Sequence, residues 1–321
     1  MPEGNTHPVG GEAPVLLAGT TRAGTTLLSL MLGHHPRIAF VGELEWVWDH
    51  PHAPGDLPSY HRWVLTNRHF RNHGLHLDTS LDFDGLVRSF AARMRKLGDP
   101  KKKPIYGFQL HRHYDEALDA WPEARVIHIV RDGRDVCASW LKFGWLGNAY
   151  KAGVEWRDAL DAWERTKARI DPKRVAEVRF EDLIAAPERE VTRLCAHLGT
   201  SFDPATLRYH EDTTYEPVDP KQAEKWRKQL SPREIRLFES VAGETLARYG
   251  YPPSGQPQQS LPPGASVALN LHNRLSHHRK RLERLGPSLW LADIVGRHVG
   301  PSWLESAVQL HINELENAEM K

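Results

Sequence analysis

Short apolar runs separated by helical periodicities set the layout of this chain. Val15-Leu-Leu-Ala18, bounded by Pro14 and Gly19, has the unbroken apolar character of a strand buried on both faces. A Gly/Thr loop follows it, and then a helix from about Thr25 to Gly33 that buries Leu27, Leu28, Leu30, Met31 and Leu32. His34-His35-Pro36 ends that helix, because proline disfavours helical geometry in the residue before it. A second strand is predicted around Ile38 to Val41, with further strands at Pro104–Leu110, Arg125–Val130 and Val175–Phe180. Helical patterns fall at Tyr114–Ala120, Arg134–Leu141, Val154–Ile170, Pro187–Leu198 and Ser231–Arg248. Strands alternating with helices predict an α/β fold, a parallel β-sheet flanked by helices.

The segment 44–103 breaks the alternation. Its scattered Trp, His and Pro read as an irregular, mostly helical insertion of the kind that walls a pocket, with Trp46, Trp48, Tyr60 and Trp63 as rings that either stack on a ligand or fill the core. A Pro/Gly/Gln-rich stretch, 252–264, reads as a linker. It divides a main domain, 14–251, from a helical tail, 265–321, which carries a basic helical pattern from Asn270 to Leu285 and then Trp290, Ile294, Val295 and Trp303. That tail is expected to dock on the body or on a second copy, giving a homodimer. Residues 1–13 are expected to form a flexible N-terminus.

Composition narrows the partners. With 42 basic and 41 acidic residues in 321, the formal charge of +1 provides no global field toward nucleic acid or an anionic membrane, so any bound anion must be held locally. No apolar run approaches the roughly 18 residues of a membrane span, and the N-terminus lacks a basic stretch followed by an apolar core. Cys137 and Cys195 sit in apolar-periodic stretches without metal or disulfide spacing and read as buried thiols. The expectation is a cytoplasmic protein. His34-His35, His111-x-His113 and His277-His278 lack a matching carboxylate or cysteine set, so no metal site is expected.

The loop Gly19-Thr20-Thr21-Arg22-Ala23-Gly24-Thr25-Thr26 has the G-x-x-x-x-G spacing of a phosphate loop, between a strand and a helix whose N-terminus would face an anion. A nucleotide triphosphatase places Lys at the position of Thr25. Without that lysine the main counter-charge for a transferred phosphoryl group is missing, whereas Arg22 brings a cation into the loop itself. One positive charge, two hydroxyls and several amides suit a phosphosulfate, whose sulfuryl group carries less charge than a terminal phosphate.

Thr21-Arg22-Ala23-Gly24-Thr25-Thr26-Leu27-Leu28 resembles the first signature of the sulfotransferases that use 3′-phosphoadenosine-5′-phosphosulfate (PAPS). Val126-Ile-His-Ile-Val-Arg131-Asp-Gly-Arg134-Asp-Val136-Cys-Ala-Ser139 resembles their second. The resemblance implies a P-loop-NTPase-like sulfotransferase fold, a 5′-phosphosulfate held by Thr20 to Thr26, and a 3′-phosphate held by Arg131 and Ser139. Val178-Arg179-Phe180-Glu181-Asp182-Leu183 resembles a third segment, with Phe180 where Tyr is common. Lys225-Trp226-Arg227-Lys228 falls where related enzymes carry a basic loop that closes over the nucleotide, with Glu224 replacing the usual preceding Gly.

Sulfuryl transfer needs a group to accept the proton of the acceptor, which the resemblance leaves open between a small molecule, a sugar and a peptide. Val41-Gly42-Glu43 resembles the G-E pair of protein-tyrosine and carbohydrate sulfotransferases, which makes Glu43 the preferred base. His111, closing the third strand, resembles the histidine base of cytosolic sulfotransferases and is the alternative. Gln109 stands where a lysine commonly touches the leaving oxygen, and Arg22 is the expected substitute, ahead of Lys102, Lys103 and Arg112. Two rivals remain: a kinase or NTPase recasting Asp132 as a magnesium ligand, and a nucleotide-binding scaffold without chemistry.

Overall fold

A computed structural model describes residues 13–319 except 52, 100, 258, 259 and 299–301. The expected flexible segment 1–13 lies outside the described residues apart from its last. In chain order the elements are β1 (Val15–Ala18), α1 (Thr25–Gly33), β2 (Ile38–Glu43), α2 (Leu57–Thr66), α3 (Arg68–Asn72), α4 (Phe83–Gly98), β3 (Ile105–Leu110), α5 (Tyr114–Ala120) and β4 (Arg125–Val130). Then follow α6 (Gly133–Phe143), α7 (Ala149–Lys167), β5 (Val175–Arg179), α8 (Phe180–Ala185), α9 (Pro187–His197), α10 (Trp226–Gln229), α11 (Pro232–Arg248), α12 (Ala265–His298) and α13 (Ser302–Glu319).

The strands form one sheet in the order β2-β3-β1-β4-β5, with every pairing parallel. Side-chain alternation along β1 sends Leu16 and Ala18 to one face and Val15 and Leu17 to the other. The first face packs with Tyr60, Phe90, Met94 and Leu118 from α2, α4 and α5. The second packs with Leu28 and Met31 of α1 and Leu194 of α9. A third cluster joins Trp140, Trp156, Trp226 and Phe238 from α6, α7, α10 and α11. Both cysteines are buried and free, as their apolar setting predicts.

Two boundaries differ from expectation in ways that matter for the site. β2 runs on to Glu43, which pairs with Gln109 across an irregular register after Phe40, instead of ending at Val41. Phe180 opens α8 and is not the last residue of β5. The insertion 44–103 is helical as expected, but its rings are structural. Trp46 and Tyr60 are fully buried, Tyr60 meeting Phe83 edge-on at 5.0 Å, and Trp48 and Trp63 pack on the same core. Burying the whole ring gains more apolar contact than lining a wet cleft, so Trp46 and Tyr60 do not face a ligand.

The tail docks on the body. α12 breaks at Gly286, whose φ of 73° lies in the left-handed region just before Pro287. The Gly147 amide donates to Asn273 Oδ1 at 2.7 Å, Asn148 Nδ2 to the Leu269 carbonyl at 2.8 Å, and Asn313 Nδ2 of α13 to the Thr66 carbonyl at 2.7 Å. No helix among the described residues is long and apolar enough to cross a membrane.

One buried ion pair anchors the segment after β4. Arg134 is 1% exposed and donates to both oxygens of Asp132, at 3.0 and 2.7 Å, to Glu239 Oε1 at 2.8 Å and to the Pro252 carbonyl at 2.9 Å. Its guanidinium also lies 4.0 Å over the Trp226 ring. Truncation would leave Asp132 buried without its counter-charge. Arg134→Ala is therefore expected to lower the unfolding free energy by about 3–5 kcal/mol in urea titration, and a loss below about 1 kcal/mol would contradict this account.

Candidate functional site

The carboxyl ends of β1, β2, β3 and β4 deliver the candidate residues to one edge of the sheet. The loop after β1 is shaped by two left-handed residues, Arg22 (φ 71°) and Gly24 (φ 104°). A side chain at Gly24 would place its Cβ 2.6 Å from the Phe180 ring, so the position admits only glycine. Gly24 is also the N-cap of α1 and offers no side chain to the first-turn amides, which stay available to an anion. Thr20 and Thr25 are buried, Thr26 is exposed, and the Thr21 hydroxyl accepts a bond from Trp140 Nε1 at 3.0 Å. Ala23 is wholly buried and contributes backbone alone.

Arg22, Arg131 and Ser139 come together on one side of this loop. Arg22 Nε donates to Ser139 Oγ at 2.9 Å, with its guanidinium 4.8 Å over Phe143. Arg131 donates to the Arg22 carbonyl at 3.3 Å and to the Gln222 carbonyl at 3.1 Å, and it stacks 4.2 Å over Phe180. Phe180 thus acts through its ring face, which needs no hydroxyl. Burial pulls the Arg131 guanidinium below its ordinary range, against the charges of Asp135 and Glu181. Burial likewise pushes the Asp135 carboxyl up to about 6, with Arg131 opposing. Arg131 Nε and Asp135 Oδ2 are both buried without a hydrogen-bond partner, so this pocket holds unspent polar capacity.

The expected basic lid is placed elsewhere. Trp226 is a core residue, 1% exposed, and its amide donates to Asp135 at 2.7 Å. Arg227 pairs with Glu224 at 3.0 Å, Lys225 is exposed, and none of the three lines the cleft. Burial of the indole between Arg134 and Arg227 fixes this run against α6. The cleft wall comes instead from an irregular stretch that includes Tyr209, Tyr215, Pro217, Val218 and Gln222. Its sequence signal was only a patternless gap between α9 and α11.

On the other side of the loop, His111 Nε2 and Thr25 Oγ1 are 2.9 Å apart, and His111 Nδ1 lies 2.8 Å from Glu45 Oε1. Glu45 was not singled out in the sequence, where its only mark is the E-x-E spacing to Glu43. Ligating atoms of Glu43, Glu45 and His111 all lie within 4.8 Å of one another, a set able to hold a metal ion that none of the histidine pairs indicated. Arg112 pairs with Asp49 and reaches Glu45 Oε1 at 3.4 Å. Lys103 is committed to the carbonyls of Gly33, His35 and Ile38 at 2.6 to 2.9 Å and does not reach the loop. Gln109 is buried, with Oε1 lacking a partner.

Two concavities meet here. A cleft of about 400 Å³ holds the loop residues, Glu43, Arg131 and Phe180. A cavity of about 510 Å³ lies between α5 and α7, floored by Trp140, Trp145, Leu146, Ala159 and Ala162. Thr21, His111 and Trp145 line both. The insertion 44–103 lines neither, contrary to its expected role as a pocket wall, because its large rings are spent on the core.

The sequence model of the Sulfotransferase family matches residues 14–204. Protein-tyrosine sulfotransferase 2 of Gallus gallus is 23% identical over 297 residues, covering 82% of this chain and 76% of that protein. Omega-hydroxy-beta-dihydromenaquinone-9 sulfotransferase Stf3 of Mycobacterium bovis is 27% identical over 167 residues, 47% of this chain and 40% of that protein. In fold, the sulfotransferase domain from the curacin biosynthetic pathway superposes with a TM-score of 0.54 at 16% identity, over 75% of this chain and 98% of that domain.

The electrostatics of the Glu43 corner carry a test. Burial pushes the Glu43 carboxyl above the ordinary glutamate range, the Glu45 charge adds to this, and His111, Arg112 and Arg68 oppose it. A carboxyl raised by folding binds its proton more tightly in the folded state, so it costs stability as pH rises through the raised value. Glu43→Gln is thus expected to gain thermal stability over the parent progressively as pH rises from the ordinary glutamate range through the raised one. Melting profiles that run parallel across that window would refute the assignment.

Proposed function

The chain belongs to the sulfotransferase family, and on that footing we propose that its loop cleft holds PAPS while the sulfuryl group passes in line to an acceptor in the adjoining cavity. The observation that carries this reading is the shared wall: Thr21, His111 and Trp145 border both spaces, so a donor on the loop and an acceptor against α7 would meet at the histidine. The first-turn amides of α1 with Thr20 to Thr26 would take the 5′-phosphosulfate. Arg131, Ser139 and Arg22 would take the 3′-phosphate, since Arg22 is already bonded to Ser139. This moves Arg22 away from the leaving oxygen that the sequence reading gave it.

His111 is the proton acceptor in this proposal, because it faces both spaces and has a carboxylate behind it. Glu43 is the second reading, favoured by its raised affinity for a proton and its place in the donor cleft. Both relatives named above act, by name, on a tyrosine or an omega-hydroxy group, which supports a hydroxyl acceptor. The Trp140, Trp145 and Leu146 floor suits an acceptor with an aromatic or apolar body. A kinase reading is disfavoured because Asp132 is held by both oxygens in its pair with Arg134. Free buried thiols support a reducing, cytoplasmic setting, and the exposed stripe Val267, Leu271 and Leu275 on α12 supports pairing of two copies.

Calorimetric titration with 3′-phosphoadenosine-5′-phosphate (PAP) tests the donor site. Binding is expected to exceed that of adenosine-5′-phosphosulfate and of ATP with magnesium, and Arg131→Ala to weaken it about 10- to 100-fold, the worth of one charge-assisted hydrogen bond. Equal binding of all three would end the sulfotransferase assignment of this cleft. With any accepted hydroxyl substrate, His111→Gln should lower kcat about 10²- to 10⁴-fold with PAP affinity unchanged. The same loss in Glu43→Gln alone would transfer the role to Glu43.

A further inference from the structure

Within the proposed site, one chain of contacts goes beyond donor binding and proton acceptance: Glu45, His111 and Thr25. Leu44 donates its amide to the Gln109 carbonyl at 3.2 Å and Trp46 Nε1 donates to the Glu43 carbonyl at 3.1 Å, which locks the turn after β2 against the end of β3. That turn puts Glu45 beside His111, with side-chain exposures of only 3% and 7%. Arg112 adds a cation at 3.4 Å to the same carboxylate oxygen, and Glu45 Oε2 has no partner.

The hydrogen-bond chemistry leaves little freedom. An ionised carboxylate only accepts, so His111 must carry its proton on Nδ1 to bond Glu45. A neutral ring so arranged has its lone pair on Nε2, and Thr25 must then be the donor in the 2.9 Å contact. A threonine hydroxyl has a single proton to give. Thr25 is also the first residue of α1, where an anion on the loop would seek that same proton.

We propose that Glu45 is a positioning residue that fixes His111 as the Nδ1–H tautomer, and that Thr25 caps the Nε2 lone pair until an anionic group in the loop claims the threonine hydroxyl. No proton leaves any group in this step. One hydrogen bond, Thr25 to His111, is exchanged for another, Thr25 to the anion, and the exposed lone pair becomes free to accept the acceptor's proton. The proposal rests on the cleft being the donor site, and it couples readiness of the base to occupancy of the loop.

Long-range proton–nitrogen spectra of the full chain labelled with ¹⁵N-histidine read this directly, with the His111 signals identified by their loss in His111→Gln. The protein should show a protonated Nδ1 and a hydrogen-bonded lone-pair Nε2, and added PAP should move Nε2 downfield to the position of an unbonded nitrogen. In Thr25→Val the Nε2 signal should already sit there and ignore PAP, while Thr25→Ser behaves as the parent. Glu45→Gln should lower the Nδ1–H population, as should Glu45→Asp, which no longer reaches the ring. A doubly protonated ring, an Nε2–H tautomer, or an unchanged tautomer in both Glu45 variants overturns the proposal. Calorimetry on the same samples separates the two ideas: absence of PAP binding defeats the donor reading and the coupling that rests on it, whereas PAP binding without movement of Nε2 defeats the coupling alone.

Discussion

Parallel pairing of β2, β3, β1 and β4 is the constraint from which the site follows. In a parallel sheet all carboxyl ends lie on one edge, so the phosphate loop, Glu43, His111 and Arg131 are brought together although up to 109 residues separate Arg22 from Arg131. The register fixes the finer spacing. Ala18 stands opposite both Leu110 and His128, which leaves the loop after β1 flanked by His111 on one side and the Arg131 segment on the other. A slip of one residue would turn Leu17 and Leu16 to the wrong faces and also take the histidine out of reach of Thr25.

The near-neutral chain concentrates its charge chemistry at this edge. Arg134 and Asp132 neutralise each other inside the protein and hold the turn in which Arg131 begins, so Arg131 is left with backbone carbonyls, the Phe180 ring and a long ion pair to Asp135 at 3.9 Å as neighbours. Its Nε is left without a hydrogen-bond partner. On the opposite flank Glu43 lines the cleft close to Glu45 and His111, and burial, with the Glu45 charge adding to it, raises the proton affinity of Glu43 against the opposing charges of His111 and Arg112.

Local features were legible in the sequence because their physics is local. The G-x-x-x-x-G loop, the apolar strands and the Arg131–Ser139 segment each depend on residues a few positions apart, and the parallel α/β sheet followed from their alternation. Glu45, the α5–α7 cavity and the 209–222 wall were not legible, because each depends on contacts across the sheet that no spacing encodes. Trp226 shows the opposite failure. Its basic neighbours suggested a lid, yet the ring's apolar area decided its place in the core. The same preference withdrew Trp46 and Tyr60 from the cleft.

The docking of α12 onto the 144–148 loop reaches further than stability. Asn273 and Leu269 hold the backbone of Gly147 and the side chain of Asn148, next to Trp145 and Leu146 in the cavity wall. Residues more than a hundred positions from the phosphate loop therefore help to shape the space beside it without touching the loop itself. Inheritance can act on the two separately: drift in the tail would reshape the cavity between α5 and α7, while the loop after β1 is passed on intact.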